Sequence, residues 1–128
     1  MRIVVAGGGI GGLAVALRLA QHGFSVHVLE RAAEFGEIGA GIQLAPNASW
    51  ALDRLGVLAA APAFAVFPEP LPWVDAISGA QLTELDLGER FRTRYGFPYV
   101  VMHRSDLLAV LLRACQDDAR ITLDTNQD

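Results

Sequence analysis

A run of glycines between a short apolar segment and a long stretch of helix formers constrains this chain more than any other feature. Residues 2–6 read Arg-Ile-Val-Val-Ala, which is typical of a buried β-strand. Five of the six residues 7–12 are glycine, and the helix formers of residues 13–20 follow directly. Gly23 ends this predicted helix, and a second strand-like segment ends in Glu30. The order of strand, glycine turn, helix, strand and acid predicts a parallel βαβ unit.

Each part of this unit has a role in holding a nucleotide phosphate. Gly7 permits a tight turn after the first strand, and Gly9 lets a pyrophosphate approach the backbone because it has no Cβ. Gly12 lets the helix lie close to the strands, and the free N–H groups at the helix N-terminus attract phosphate. Glu30 lies 23 positions beyond Gly7, where a carboxylate can accept hydrogen bonds from ribose hydroxyls. The sequence therefore predicts a dinucleotide-binding site.

Composition and charge narrow the class of protein. The chain has 128 residues, of which 52% are hydrophobic and 19% charged, and this composition is typical of one globular domain. A formal net charge of −4 without a basic tract argues against a nucleic-acid partner. Three histidines and the single Cys115, at unrelated spacings, predict neither a disulfide nor a metal site. We expect Cys115 to be buried, and the sparse cysteine usage fits a cytoplasmic protein.

The apolar start of the chain could be mistaken for a signal peptide or a membrane span. The glycines of residues 7–12 form a poor helix, Arg18 interrupts the apolar run, and Arg2 is the only charge before it. No other segment is long enough to cross a bilayer. We therefore expect neither a secretory signal nor a membrane partner.

The middle of the chain predicts less regular structure. Residues 31–45 are expected to form a long functional loop with a helical turn near residues 32–35. Residues 46–55 predict a short helix, because proline stands at its start and glycine follows its end. Prolines at positions 68, 70 and 72 should break any regular element. Residues 73–77 and 82–87 predict two strands.

The last third predicts a return to the main sheet. Residues 88–96 are polar and basic and are expected to form a solvated segment. A short apolar run at residues 98–102 leads to a helix for which Ser105 is a plausible N-cap. Residues 121–123 predict another strand.

Several segments spread over the whole chain have a recognisable combined pattern, namely residues 7–12, 29–31, 34–44, 46–47, 55–57, 86–88, 94–96 and 103–107. Together they resemble the flavoprotein aromatic hydroxylases of the p-hydroxybenzoate and salicylate hydroxylase family. The likeness is greatest to the branch that hydroxylates 3-hydroxybenzoate. It implies an α/β fold with a Rossmann-like FAD-binding domain, an inserted small β segment, and a position as the N-terminal part of a larger two-domain fold.

This resemblance also implies an internal organisation. All of residues 1–128 would belong to the N-terminal portion of the FAD-binding domain. The expected parts are the Rossmann βαβ unit at 1–30, an FAD loop and helix at 31–60, inserted strands at 64–102, and a helix with the next Rossmann strand at 103–128.

The resemblance implies FAD as the cofactor of the βαβ unit. Gly7, Gly9 and Gly12 would form the turn beside its pyrophosphate. Glu30 would then hold the adenosine ribose, and Arg31 would lie at the adenine end.

Three further positions would serve the flavin end. Gly41 and Gln43 belong to a loop that would approach the flavin, with Gln43 nearest, and Arg104 would contact FAD from the start of its helix. In hydroxynicotinate hydroxylases of this family, a histidine linked to substrate deprotonation occupies the position of Gln43. Because glutamine has no useful pKa, it cannot act as that base, and the catalytic residues stay unassigned.

The implied activity is that of an FAD-dependent monooxygenase. It would use NADH or NADPH and O₂ to hydroxylate a phenolic acid such as 3-hydroxybenzoate or salicylate in aromatic catabolism. We expect the 128-residue chain to supply the FAD-binding part and to be inactive alone.

Two alternatives stay open. One is a truncated, non-catalytic FAD or dinucleotide-binding module, which could form a homodimer through an unpaired sheet edge. The other is an NAD-dependent oxidoreductase, which explains Glu30 but leaves the roles of Gln43 and Arg104 unexplained.

Overall fold

The computed structural model describes residues 1–36 and 39–127, which form three small β-sheets and four α-helices. None of the helices in these ranges is long and apolar enough to cross a bilayer. The elements in chain order are β1 (Arg2–Ala6), α1 (Ile10–Gln21), β2 (Ser25–Leu29), β3 (Gly41–Leu44), α2 (Pro46–Arg54), a 3-10 helix (Leu58–Ala63), β4 (Ala65–Val66), β5 (Pro70–Val74), β6 (Gln81–Asp86), α3 (Glu89–Tyr95), β7 (Val100–His103), α4 (Arg104–Gln116) and β8 (Ile121–Asp124).

The predicted βαβ unit is confirmed. Strands β1, β2 and β8 form a parallel sheet in that order, with Ile3 opposite Val26 and Val26 opposite Ile121. Helix α1 connects β1 to β2, and α4 precedes β8, so a helix accompanies each parallel step. Val28 and Leu13 are fully buried, which places the core between the sheet and these helices.

The expectation that Cys115 is buried is also confirmed. Its side chain lies in the core on α4, and its thiol contacts the carbonyl oxygen of Leu13 at 3.5 Å. Burial, with a smaller contribution from the negative charge of Asp118, raises the pKa of the Cys115 thiol to about 11.

A second, antiparallel sheet has the order β3-β7-β4. In it, Gly41 lies opposite His103 and Leu44 opposite Val100. The expectation of a loop through residue 45 is therefore wrong for the second half of that segment. Only Ile42 and Leu44 are large apolar residues in β3, so pairing with β7 rather than local preference makes this strand. Residues 32–35 form bends rather than a helical turn, and residues 37 and 38 lie outside the described part of the segment.

The third sheet is the hairpin of β5 and β6. Pro70 and Pro72 lie inside β5, so the expectation that these prolines break any regular element is wrong. The backbone N–H of Leu87 donates to the carbonyl of Glu69, which shows that residue 69 faces the partner strand. Pro70, the next residue, and Pro72, two further on, therefore turn their missing N–H positions away from β6, as an edge strand allows.

The last third of the chain contains a helix that the sequence did not predict and one that begins earlier than expected. Residues 89–95 of the polar, basic segment form α3, which has no buried residue. The ring centroids of Phe91 and Tyr95 lie 4.6 Å apart, one turn from each other, and Gly96 ends the helix at φ +77°. Helix α4 begins at Arg104, with His103 rather than Ser105 at the cap position. Strand β7 runs directly into α4, which explains the earlier start.

Candidate functional site

The turn after β1 has the geometry that its glycines predict. Gly7 has φ +96°, a conformation that favours glycine, and its N–H donates to the carbonyl of Leu29 at 2.7 Å. A Cβ on Gly12 would overlap the carbonyl oxygen of Gly7, so a side chain at this position would push α1 away from the turn. A Cβ on Gly9 would meet nothing within 4 Å, which leaves open space at the start of α1.

Gly8 has a structural role that the motif did not reveal. A Cβ on Gly8 would overlap the ring of Phe35, which packs against the turn. The N–H of Gly8 also donates to Oε2 of Glu30 at 2.6 Å. The spacing G-x-G-x-x-G leaves this position unspecified. The presence of glycine at a position that the motif leaves open was the available sign of this role. Nothing in the local sequence indicates that Phe35 packs against Gly8.

Glu30 lies immediately after β2 and is held by the backbone. Its Oε2 accepts the hydrogen bond from Gly8, and its Oε1 accepts one from the N–H of Ala32 at 2.8 Å. The bond from Ala32, followed by that from Gly8, lowers the pKa of the Glu30 carboxyl, so the group is anionic at neutral pH. A carboxylate oxygen has two lone pairs, so each oxygen can accept a further hydrogen bond.

A cavity of about 720 Å³ lies beside this carboxylate. It opens at the C-terminal ends of β1 and β2, where ligands bind in open parallel sheets. The residues that line it are Ala6, Gly7, Leu29, Glu30, Arg31 and Gln127. No local pattern indicated Gln127, which lies at the cavity because its N–H donates to the carbonyl of Glu30 at 3.0 Å.

The other three predicted residues lie together at the second sheet. Gly41 begins β3, Gln43 is two residues further along it, and Arg104 begins α4 directly after β7. The pairing of β3 with β7 brings Gly41 opposite His103, and the N–H of Arg104 donates to the carbonyl of Ala40 at 3.0 Å. These positions are far apart in sequence, and strand pairing makes them neighbours.

Gln43 has a partner that the sequence did not reveal. The hydroxyl of Tyr99 donates to Oε1 of Gln43 at 2.6 Å. Tyr99 lies immediately before β7, and the local sequence carries no sign of this contact.

The glycine turn after β1 and the carboxylate of Glu30 fit the diphosphate and ribose of a dinucleotide. Gly7 and Gly9 leave the approach to the N-terminus of α1 open, and its N–H groups attract phosphate. The carboxylate of Glu30 borders the cavity, and its spacing in sequence from the glycine turn is that of an acid which binds the ribose hydroxyls of a dinucleotide. The described residues thus provide a cradle that side chains at these glycines would fill.

Comparison with known proteins agrees with this geometry. Residues 5–44 match the family of NAD(P)-binding Rossmann-like domains. The chain is 50% identical over 119 residues to 3-hydroxybenzoate 6-hydroxylase of Polaromonas naphthalenivorans (strain CJ2), covering 93% of this chain and 30% of that protein.

Two solved structures of larger proteins are also similar to this chain. The tetrameric form of 2-methyl-3-hydroxypyridine-5-carboxylic acid oxygenase superposes with a TM-score of 0.82 at 28% identity, over 98% of this chain and 31% of that one. Klebsiella pneumoniae HpxO, in complex with FAD and uric acid, superposes with a TM-score of 0.81 at 27% identity, over 96% of this chain and 30% of HpxO.

The parallel sheet, the glycine turn and the acid after β2 give the chain a Rossmann-like fold. More particularly, the chain is similar over most of its length to flavoprotein aromatic hydroxylases, which confirms the resemblance that the motifs indicate. It spans about 30% of the length of the curated relatives that it matches.

Proposed function

We propose that this chain binds FAD and forms part of an FAD-dependent monooxygenase that hydroxylates a small phenolic acid. The observation that carries the proposal is the carboxylate of Glu30, which is bonded to the glycine turn and borders the cavity at the ends of β1 and β2. Relatives named as aromatic hydroxylases and a neighbour solved with FAD support the choice of cofactor.

The residues divide between the two ends of the cofactor. In the proposal, Gly7, Gly9 and Gly12 shape the turn at the pyrophosphate, with N–H groups of α1 as donors. Glu30 accepts hydrogen bonds from the ribose hydroxyls, and Arg31 lies at the adenine end.

Three residues at the second sheet serve the flavin end of FAD in the proposal. Gly41 permits close approach of the backbone, Gln43 supplies polar hydrogens, and Arg104 contributes positive charge. Bound FAD supplies the redox chemistry by which NADH or NADPH and O₂ lead to a hydroxylated ring, while the protein positions the reactants. No described residue is assigned as the catalytic base.

The proposal extends to the whole protein. Its substrate would be 3-hydroxybenzoate, salicylate or a similar phenolic acid, and its setting would be cytoplasmic aromatic catabolism. Residues 1–128 would be the N-terminal portion of the FAD-binding domain, with residues 64–102 as its inserted strands. We expect little or no hydroxylase activity from these 128 residues alone, because the proposed site holds the cofactor without a group assigned to the substrate.

Quenching of flavin fluorescence tests the cofactor assignment directly. We expect FAD to bind the chain and the Glu30→Ala variant to bind it about tenfold more weakly, since a hydrogen bond to a charged group contributes about 1.5–3 kcal/mol. Glu34→Ala is the matched control, because Glu34 is an exposed acid four residues further along. Absence of FAD binding, or equal affinities for Glu30→Ala and the unaltered chain, would contradict the proposal.

Two further measurements separate the alternatives. If NAD⁺ binds more tightly than FAD in competition, the NAD-dependent oxidoreductase is favoured instead. Oxidation of NADH or NADPH with 3-hydroxybenzoate tests the activity of the chain, and robust substrate-dependent turnover would show that it is active alone.

We also propose that the chain forms a homodimer through β1. Within the described residues, β1 pairs on one side only, with β2, and Val4 on this strand is 59% exposed. An unpaired edge with an apolar side chain favours strand addition. A second copy of β1 could pair with it in antiparallel fashion.

A further inference from the structure

The hydrogen bond between Tyr99 and Gln43 joins β3 to the residue that immediately precedes β7, on one side of their sheet. Gln43 lies opposite Val101 in the β3–β7 register, and Tyr99 is two residues before Val101. Because side chains alternate along a strand, Tyr99 and Gln43 share a face and lie on a diagonal. The hydroxyl of Tyr99 thus reaches Oε1 of Gln43 at 2.6 Å.

Tyr99 is held more firmly than its partner. It is half-buried, whereas Gln43 is exposed. On one side of Tyr99, the carbonyl of Pro98 accepts a hydrogen bond of 2.9 Å from the hydroxyl of the fully buried Ser49. On the other side, Val100 is fully buried in β7 opposite Leu44. The backbone on both sides of Tyr99 is therefore fixed, and the tyrosine can hold the glutamine in place.

The direction of this bond determines what Gln43 can offer a ligand. A glutamine amide has one acceptor oxygen and two N–H donors. The hydroxyl of Tyr99 donates to one of the two lone pairs of this oxygen, and the bond orients both Nε2 hydrogens away from the tyrosine. Gln43 thus presents hydrogen-bond donors on an exposed surface of β3, and its rotation about the terminal bond is restricted before any ligand binds.

We propose that Tyr99 is a positioning residue that holds Gln43 as a hydrogen-bond donor to an acceptor atom of the flavin ring. The inference rests on the proposed function, since it takes the flavin end of FAD to lie at Gln43. Preorganisation of this kind strengthens binding because the rotamer is fixed before the ligand arrives. The tyrosine acts through the glutamine and need not touch the cofactor.

A double-mutant cycle of FAD affinity tests the coupling. We expect Tyr99→Phe, which removes only the hydroxyl, to weaken FAD binding about threefold to tenfold, in line with the loss of one hydrogen bond. Gln43→Glu keeps an acceptor for Tyr99 but removes both N–H donors. In that background, Tyr99→Phe should have no further effect on affinity. Tyr95→Phe is the matched control, because Tyr95 is 51% exposed and lies outside this contact.

Two spectroscopic measurements show whether the contact itself is present. In the chain without cofactor, we expect the side-chain amide signals of Gln43 in a ¹H–¹⁵N spectrum to differ from those of a free glutamine, and to move towards them in Tyr99→Phe. The visible absorption band of bound FAD should also shift in Tyr99→Phe but not in Tyr95→Phe. Unchanged thermal unfolding of Tyr99→Phe would exclude a general loss of structure.

The outcomes separate this inference from the proposed function. If the unaltered chain binds FAD, Glu30→Ala weakens binding and Tyr99→Phe does not, the role of Tyr99 is overturned and the FAD site stands. If the effect of Tyr99→Phe persists in the Gln43→Glu background, Tyr99 does not act through Gln43. If the unaltered chain does not bind FAD, both proposals are overturned.

Discussion

The N–H of Gly8 donates a hydrogen bond of 2.6 Å to Oε2 of Glu30, 22 residues further along the chain. This bond ties the turn after β1 to the end of β2, which are adjacent because the two strands are parallel. The carboxylate therefore has a defined position beside the cavity before a ligand enters. A group fixed in this way loses less conformational freedom on binding than a mobile one.

The first prediction concerns the contact between α1 and the glycine turn. We expect Gly12→Ala to lower the free energy of unfolding by about 1–3 kcal/mol, because its Cβ would overlap the carbonyl oxygen of Gly7. Urea unfolding measures this change. Gly11→Ala is the control, since a Cβ on Gly11 would meet nothing within 4 Å and alanine favours the helix. Equal stability of the two variants would contradict the crowding.

The second prediction concerns the response of stability to acid. The pKa of Glu30 is lowered in the folded chain by hydrogen bonds from Ala32 and Gly8. The contribution of the ionised Glu30 carboxylate to the free energy of unfolding is therefore present above the ordinary glutamate pKa of about 4.3. It is lost as the pH falls through the lower pKa of the folded chain.

Comparison with Glu30→Gln isolates this contribution. We expect the unaltered chain to be the more stable of the two at pH 7, and the difference between them to shrink as the pH falls below about 4. Denaturant unfolding at a series of pH values measures both. A difference that stays constant with pH would show that the charge of Glu30 contributes nothing to folding.

The third prediction concerns the reactivity of Cys115. Because burial raises the pKa of this thiol to about 11, little thiolate exists at pH 8, and the side chain is fully buried. We expect a thiol reagent to label the folded chain at the rate of unfolding, and the chain in denaturant at once. Rapid labelling of the folded chain at pH 8 would show that the core opens locally around α4.

The same shift makes stability fall at alkaline pH. The thiol in the unfolded chain ionises near its ordinary pKa of about 8.5, while the folded thiol stays protonated up to about 11. The contribution of the protonated Cys115 thiol to the free energy of unfolding is therefore complete below the pKa of the unfolded chain, and it is lost as the pH rises through the pKa of the folded chain. Cys115→Ala should remove this alkaline dependence, which unfolding at pH 8 and pH 10 would measure.

The fourth prediction concerns self-association through β1. We expect Val4→Lys to shift the chain towards monomer in gel filtration, because a lysine on an edge strand opposes pairing with another copy. Val15→Lys is the matched control, since Val15 is 50% exposed but lies on α1. A dimer that persists in Val4→Lys would contradict pairing through β1, and a chain that is monomeric at all concentrations would contradict the homodimer.

The local sequence was sufficient to predict secondary structure where neighbouring residues determine it. The helix α1 and its end near Gly23 followed from helix formers and a glycine with φ +85°. It was insufficient for β3, because this segment is a strand through pairing with β7, which lies far along the chain. It was also insufficient for Pro70 in β5, because the register with β6 decides that the missing N–H of this proline is turned away from its partner. Strand preference depends on such neighbours more than helix preference does.

The sequence by itself determined that a parallel βαβ unit with a glycine turn begins the chain and that Glu30 follows its second strand, because the order of strand, glycine turn, helix, strand and acid is a local pattern that is specific to this unit. Only the tertiary structure showed that Glu30 is bonded to Gly8, since the spacing does not specify the direction of a side chain. Likewise, only the pairing of β3 with β7 places Tyr99 beside Gln43. Contacts across many residues depend on the register of the sheet, which no local pattern in either segment defines.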